Sequence, residues 1–502
     1  MTLRMIQPGG QTYTQILKST MLMGGSSLVN VALSIIRNKA LAVLLGPEGV
    51  GLMGLYGSII DMAQAIAGLG VSSSGVRRVA EAEGTSGAER IARSATALRR
   101  LSMVLGLLGA LFLAMLASPV SNFTFGDYQH AGAIALLSLA VFFRIVSAGQ
   151  TGLIQGLRGV ANLARINVLA GLLGTVVSIP LIYLFGAQAI APSLVAVAAV
   201  STLPTWWYSR RIQRHPSRIS SRQFGEEATA LLRLGVVFMA SGLLTFGAAY
   251  AIRIIVLTEG GVVAAGLYQA AWALGGLYAG FILQAMGTDF YPRLTAAAHN
   301  NAECNRLVNE QAEISILLAG PGLLATLTLA PLMMSLFYSP EFHGAADLLR
   351  WICLGMMLRI VAWPMGFIVV AKGAQTIFFW TEIAATLVHV GLAWLFVSKL
   401  GAPGAGMAFF GLYIWHGILI YVIVRRLTGF RWSAANRRHA LLFLPASGFV
   451  FSVSLVLPLW PATAIGCVAA VLSGLYSLRM LVELLPPELV PAAIRGWITK
   501  SA

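Results

Sequence analysis

Arg37, Lys39, Arg144, Arg253, Arg350 and Arg359 each stand inside a long apolar run of this 502-residue chain, as do the acids Asp61, Asp289 and Glu382. A guanidinium presents a rigid fork of donors that matches a phosphate or carboxylate bidentately, while an ammonium binds the same groups as a point charge. A carboxylate in such surroundings can carry a proton or neutralise a neighbouring arginine. Asp61 is therefore read as a partner for Arg144 or Arg37, or as a coupling site, and Glu382 and Asp289 as candidates for ion coupling or charge pairing. His389 and His416 also lie in apolar runs and are read first as hydrogen-bonded core histidines.

Other chemistries lack their residues. Cys304, Cys353 and Cys467 are far apart and form no C-x-x-C pair, so neither a disulfide framework nor a zinc site is expected. The sequence contains no G-x-x-x-x-G-K-[ST] phosphate loop, so the chain does not itself burn ATP. No cofactor and no metal is expected, and no catalytic residue is assigned.

The elements that must hold these charges follow from composition. The chain is 58% hydrophobic and 10% charged, with a mean hydropathy of +0.80, whereas soluble domains are about 25% charged. The reading is an all-α polytopic membrane protein. Apolar runs near 17–45, 52–77, 95–117, 131–155, 164–185, 189–209, 233–258, 264–289, 313–338, 345–371, 376–398, 404–427, 440–457 and 462–482 give about fourteen transmembrane helices. The formal charge of +16 is assigned to crowded cytoplasmic loops rather than to nucleic acid. Arginines cluster after the second, sixth and twelfth runs (Arg77 and Arg78, Arg210 and Arg211, Arg425 and Arg426 among them), whereas the alternate loops hold little basic beyond Lys399. That asymmetry puts both termini in the cytoplasm. Trp206, Trp207 and Tyr208 fit an interfacial aromatic belt. The longest loop on the other face, about 118–130, leaves no room for an external catalytic domain.

Two octapeptides, "GVGLMGLY" at 49–56 and "GVVAAGLY" at 261–268, share G-V-x-x-x-G-L-Y and fall 212 residues apart. Each opens an even-numbered span, which predicts two parallel six-helix lobes with a site near mid-membrane. The division is an N-lobe at 1–209, a basic cytoplasmic linker at 210–232, a C-lobe at 233–427, and an extra helix pair with a cytoplasmic tail at 428–502. The octapeptides also serve as a ruler: Lys39 precedes the first and Arg253 the second by similar intervals, so each lobe presents a cation at one level. Arg144 and Arg359 fall near mid-depth of their spans.

The stretch "KALAVLLGPEGVGLMGLY" (39–56) resembles the first hairpin of the Wzx-type O-antigen translocases. "GLYQAAWALGGLY…AMGTDFYPRLT" (266–295) is similar to their eighth-helix signature, and "LIQGLRGVANLARINVL" (153–169) to the segment between their fourth and fifth helices. These are lipid-linked oligosaccharide flippases of the multidrug/oligosaccharidyl-lipid/polysaccharide exporter superfamily, which also holds the peptidoglycan lipid II flippases. The resemblance covers about 15–430. Close relatives typically have twelve helices, so the last pair is a departure that bears on the substrate.

The resemblance implies a cargo of undecaprenyl diphosphate bearing a glycan, moved from the cytoplasmic to the periplasmic leaflet of the bacterial inner membrane. Arg37, Lys39, Arg144, Arg253 and Arg359 become candidate contacts for diphosphate or glycan, Lys39 matching the basic residue of the family's first hairpin. Expected partners are the lipid-linked oligosaccharide and membrane lipid. A proton or sodium ion is a candidate coupling ion, and a polysaccharide polymerase and chain-length regulator are candidate protein partners. A multidrug or small-molecule cation antiporter of the same fold is the alternative, with a membrane polysaccharide polymerase behind it.

Overall fold

A computed structural model of the chain describes residues 9–85, 88–157, 159–212, 220–285 and 290–484. Among the described residues there is no β-strand. The helices are α1 (Gly9–Ala67), α2 (Val71–Thr85), α3 (Ala88–Met115), α4 (Ala117–Phe125), α5 (Ala131–Gly156), α6 (Val160–Phe185), α7 (Ile190–Ile212), α8 (Ser221–Ala285), α9 (Tyr291–Ala296), α10 (Asn301–Thr328), α11 (Ala330–Phe337), α12 (Ala346–Ala371), α13 (Gln375–Leu400), α14 (Pro403–Thr428), α15 (Ala434–Val456) and α16 (Leu459–Leu484). Hydrocarbon offers backbone amides no partner, so a spanning segment must satisfy them within a helix.

Among the described residues, eleven helical stretches are long and apolar enough to cross a membrane. Three of them, Val29–Ala67, Ala161–Arg211 and Ser221–Leu277, run for 39, 51 and 57 residues. A straight helix of the last length would reach about 85 Å, against about 30 Å of hydrocarbon. Each is broken where the sequence places a turn: α1 at Gly46 (φ 65°, ψ −174°), α8 at Gly261 (φ 78°, ψ 179°), and α6 from α7 at the 3-10 turn Gly186–Ala189. Gly46 and Gly261 sit in the left-handed region that a β-carbon disfavours. The fourteen-crossing count requires each of these three stretches to cross twice.

The chain divides by packing into two units, Met1–Ile254 and Ile255–Ala502. In the first, Tyr56, Ile59, Leu98, Ile134, Leu137 and Leu153 form a buried core in which α5 packs against α3 and α7. Met103, Leu107, Leu108, Leu111, Phe112 and Met115 instead lie exposed along one face of α3. A soluble monomer rarely leaves such a stripe bare, whereas hydrocarbon covers it at no cost.

In the second unit α12 is the most enclosed span and packs on α14 and α10. The extra pair α15 and α16 docks on α10. His439, fully buried, sits 3.2 Å by its Nε2 from the Glu313 carboxylate and 3.0 Å by its Nδ1 from the Tyr476 hydroxyl. With the proton on Nε2 the ring donates to the carboxylate, which can only accept, and Nδ1 accepts from the tyrosine hydroxyl. Asn436 donates to the Asn309 carbonyl at 2.8 Å, and Thr428 to Asn305 Oδ1 at 2.8 Å. Pro445 lies inside α15, while Pro458 precedes α16.

A second internal correspondence joins the octapeptides. α3 stops at Met115, the short α4 follows, and then α5; α10 stops at Thr328, the short α11 follows, and then α12. Inside α5 stands Arg144-Ile145-Val146, and inside α12 Arg359-Ile360-Val361. These pairs are spaced along the chain like the octapeptides, to within a turn of helix. Arg144 and Arg359 thus occupy equivalent places.

Candidate functional site

In the first unit α1 ends at Ala67 and α2 begins at Val71. Between them Leu69 (φ 45°) and Gly70 (φ 62°) both take left-handed backbone, and the Val71 amide donates to the Gly68 carbonyl at 2.9 Å. For a leucine that conformation is a strained one. Gly70 faces Gly235 of α8 so closely that a β-carbon on either would run into the other segment's backbone. The break thus seats α8 against α1 and α2. The Ser72 hydroxyl donates to the Ala148 carbonyl at 3.0 Å and ties α2 to α5 one turn beyond Arg144.

These contacts frame a cavity of about 400 Å³ lined by Asp61, Gln64, Ser72, Ser102 and Arg144, with Phe246 of α8 on its apolar side. Arg144 Nη1 donates to Asp61 Oδ1 at 2.6 Å, and the two side chains remain 41% and 37% exposed. The pair is bound yet open to the cavity, and the guanidinium has donors left for a second acceptor.

Among the described residues, Arg359 of the second unit has no such salt bridge. Its guanidinium lies 4.7 Å over the Trp363 ring and 5.7 Å from the centre of Tyr413, and its buried Nε has no hydrogen-bond partner. Aromatic faces stabilise a cation that has lost its water. Glu382 of α13 interacts electrostatically with Arg359 without contacting it as an ion pair. A cavity of about 100 Å³ is lined by Trp363, Phe367, Thr381, Glu382 and His416. At about 30 Å³ each, it has room for a few waters beside the carboxylate. His416 Nδ1 is buried without a hydrogen-bond partner, which departs from the core histidine expected there. His389 packs beside Phe409, ring centres 5.9 Å apart.

Arg37, Lys39, Arg253 and Arg350 line neither of these two cavities. Arg37 is half-buried against α6, where a β-carbon on Gly174 would touch its guanidinium at 3.6 Å. Lys39 is half-buried. Arg253 donates to the Ala249 carbonyl of its own helix at 3.1 Å. Arg350 pairs with Asp347 at 2.8 Å. Asp289 lies outside the described residues. Arg210 stacks over Trp206 at 4.6 Å and Arg211 over Trp207 at 4.7 Å, an arrangement suited to the interfacial belt read from sequence. Two features escaped the sequence reading: the glycine crossing at Gly70 and Gly235, and the repeated Arg-Ile-Val, whose signal stood in plain view.

Comparison with known proteins places the chain. A family model described as polysaccharide biosynthesis protein matches residues 40–347. The lipid III flippase of Escherichia coli (strain K12) is 23% identical over 402 residues, spanning 79% of this chain and 95% of that protein, and that of Shigella flexneri matches equally. Among solved structures, the lipid II flippase MurJ in an inward closed conformation aligns with a TM-score of 0.67 at 12% identity, over 93% of this chain and 99% of its own. An inward-facing multidrug resistance MATE family transporter of the MOP superfamily aligns with a TM-score of 0.67 at 20% identity, over 80% and 98%. The all-α membrane fold is that of the MOP transporters, and the chain belongs to the polysaccharide biosynthesis protein family.

Proposed function

We propose that this protein is a flippase that moves a polyprenyl-diphosphate-linked oligosaccharide from the cytoplasmic to the periplasmic leaflet of the bacterial inner membrane by alternating access. It acts as a transporter, not an enzyme, and the polyprenol is undecaprenol. The observation that carries the reading is Arg144, held within a cavity wide enough for a diphosphate and its first sugar. A charge at mid-membrane is costly, about 2.5–3.5 kcal/mol on insertion scales, and persists where a task requires it. Likeness to the lipid III flippases supports the same class of cargo. O-antigen or a related surface polysaccharide unit is the glycan, and Arg37, Lys39, Arg253 and Arg359 serve the path beyond the first site.

The chain crosses fourteen times with both termini cytoplasmic, and the membrane voltage favours outward movement of an anionic cargo. Carrying anionic lipid out of a negative interior releases about 2.3 kcal/mol per charge at 100 mV. Glu382, beside a cavity that can hold water, is the candidate to take up a coupling proton or sodium ion. Likeness to the MATE transporter supports a second reading, export of small organic cations. The arginine in the larger cavity argues against that cargo.

Glycolipid analysis of a deletion strain tests the proposal. Accumulation of one lipid-linked oligosaccharide on the inner leaflet, with loss of the matching surface glycan, is expected. A normal glycolipid pool together with raised sensitivity to cationic drugs overturns it in favour of the antiporter.

A further inference from the structure

An isolated arginine in a membrane carrier raises a problem that cargo binding does not solve. When the carrier is loaded, the cargo's phosphates neutralise the guanidinium. When the carrier returns empty, the same charge must cross the cycle without them, in a setting where an unpaired cation is penalised. Among the described residues, Asp61 and Arg144 are the only charged groups lining the first cavity. They meet through one contact at 2.6 Å, and both are more than a third exposed. The contact is therefore accessible to a competing anion. The other polar side chains of the lining, Gln64, Ser72, Ser73 and Ser102, carry no charge.

We propose that Asp61 is a displaceable counter-ion, holding Arg144 while the carrier is empty and yielding it to the cargo's phosphate. This rests on the reading of the first cavity as the diphosphate site. A phosphate offers the arginine the same acceptor geometry as the carboxylate, with more charge and more oxygens. Exchange between the two anions keeps the cation neutralised in both halves of the cycle. Asp61 then opposes binding and speeds return: it lowers affinity for the anion, and it lets the empty carrier reset. A carboxylate that merely braced the fold would do neither.

The test uses full-length protein in nanodiscs, with farnesyl diphosphate as the probe and flipping of the native glycolipid as the second readout. Asp61→Asn should bind the probe about 10-fold more tightly, a shift of about 1.4 kcal/mol, while glycolipid turnover falls. Asp61→Glu, which keeps the charge, should bind the probe less tightly than Asp61→Asn and turn over more glycolipid than it does. Wild-type protein should show one carboxylate band changing in difference infrared spectra when the probe is added, moved in position by Asp61→Glu. That spectrum decides the matter even if Asp61→Asn fails to fold. Unchanged or weaker probe binding by folded Asp61→Asn, or an unaltered carboxylate band, overturns the exchange while Arg144→Gln still loses the probe. If Arg144→Gln binds as wild type does, the cavity is not the diphosphate site, and both proposals fall.

Discussion

Arg144 and Arg359 stand at equivalent places in two units that repeat one pattern, yet the molecule treats them differently. Arg144 faces a carboxylate at 2.6 Å in a cavity of about 400 Å³. Arg359 lies on the rings of Trp363 and Tyr413, its Nε without a partner, beside a cavity of about 100 Å³. One cation is neutralised by a group that a ligand can replace. The other is sheltered by faces that a ligand cannot replace and does not compete with. On the proposed exchange, the arginine of the first unit trades one anion for another, while that of the second unit stays on its rings with Glu382 in its neighbourhood.

The sharpest break in this comparison comes from removing each charge in turn. Arg144→Gln should cut glycan export on the order of 100-fold, the usual scale for removing one partner of a hydrogen-bonded charge pair. The deficit should appear in farnesyl diphosphate binding as well as in turnover. Equal losses from Arg144→Gln and Arg359→Gln would erase the difference between the two sites.

The next effect tests what shapes the larger cavity. Gly235→Ala should shift α8 off the break at 68–70, because its methyl group meets the Leu69 carbonyl, which is backbone and cannot swing aside. Overpacking of this kind costs about 1–3 kcal/mol. We expect a lower melting temperature in detergent and a loss of probe affinity without any change of charge. Retained stability with retained binding would show that the crossing does not hold the cavity.

How much of this was legible beforehand differs by feature. The two octapeptides announced a repeat, and the breaks at Gly46 and Gly261 fall at or just before them because a hairpin of helices needs backbone that glycine supplies. The contact of Asp61 with Arg144 was readable because a membrane offers an isolated charge few other partners. The equivalence of Arg144 with Arg359 was harder to read, since their neighbours have diverged: one turn on stands Ala148 in the first unit and Trp363 in the second. The octapeptide ruler drew attention instead to Lys39 and Arg253, and Arg253 is engaged with its own helix at Ala249. The crossing of Gly70 and Gly235 joins residues remote in sequence, and no local pattern marks it.

A smaller effect comes from Arg359→Gln. Without a direct ion pair to lose, it should lower export about 10-fold, in keeping with the loss of a desolvated cation–π contact of about 1–2 kcal/mol. Probe affinity should hold near wild type, since the first cavity is untouched. Loss of probe binding in this variant would make Arg359 a cargo contact of the same kind as Arg144.

The smallest effect is the most specific to the comparison. Trp363→Leu removes the ring beneath Arg359 while keeping an apolar side chain of helical propensity on α12. Tyr413 remains, at the longer distance of 5.7 Å, so the guanidinium keeps part of its shelter. The loss should be about 1 kcal/mol, or roughly 5-fold in turnover. With the ring gone, Glu382 becomes the better partner, and the arginine should move toward it. Pairing Trp363→Leu with Glu382→Gln separates the two supports. If the ring and the carboxylate compete for Arg359, the double variant should lose more than the two single losses combined, because the cation then has neither. Simple additivity would mean that Trp363 only fills space, and that the second unit has no arrangement of its own to set against the exchangeable pair of the first.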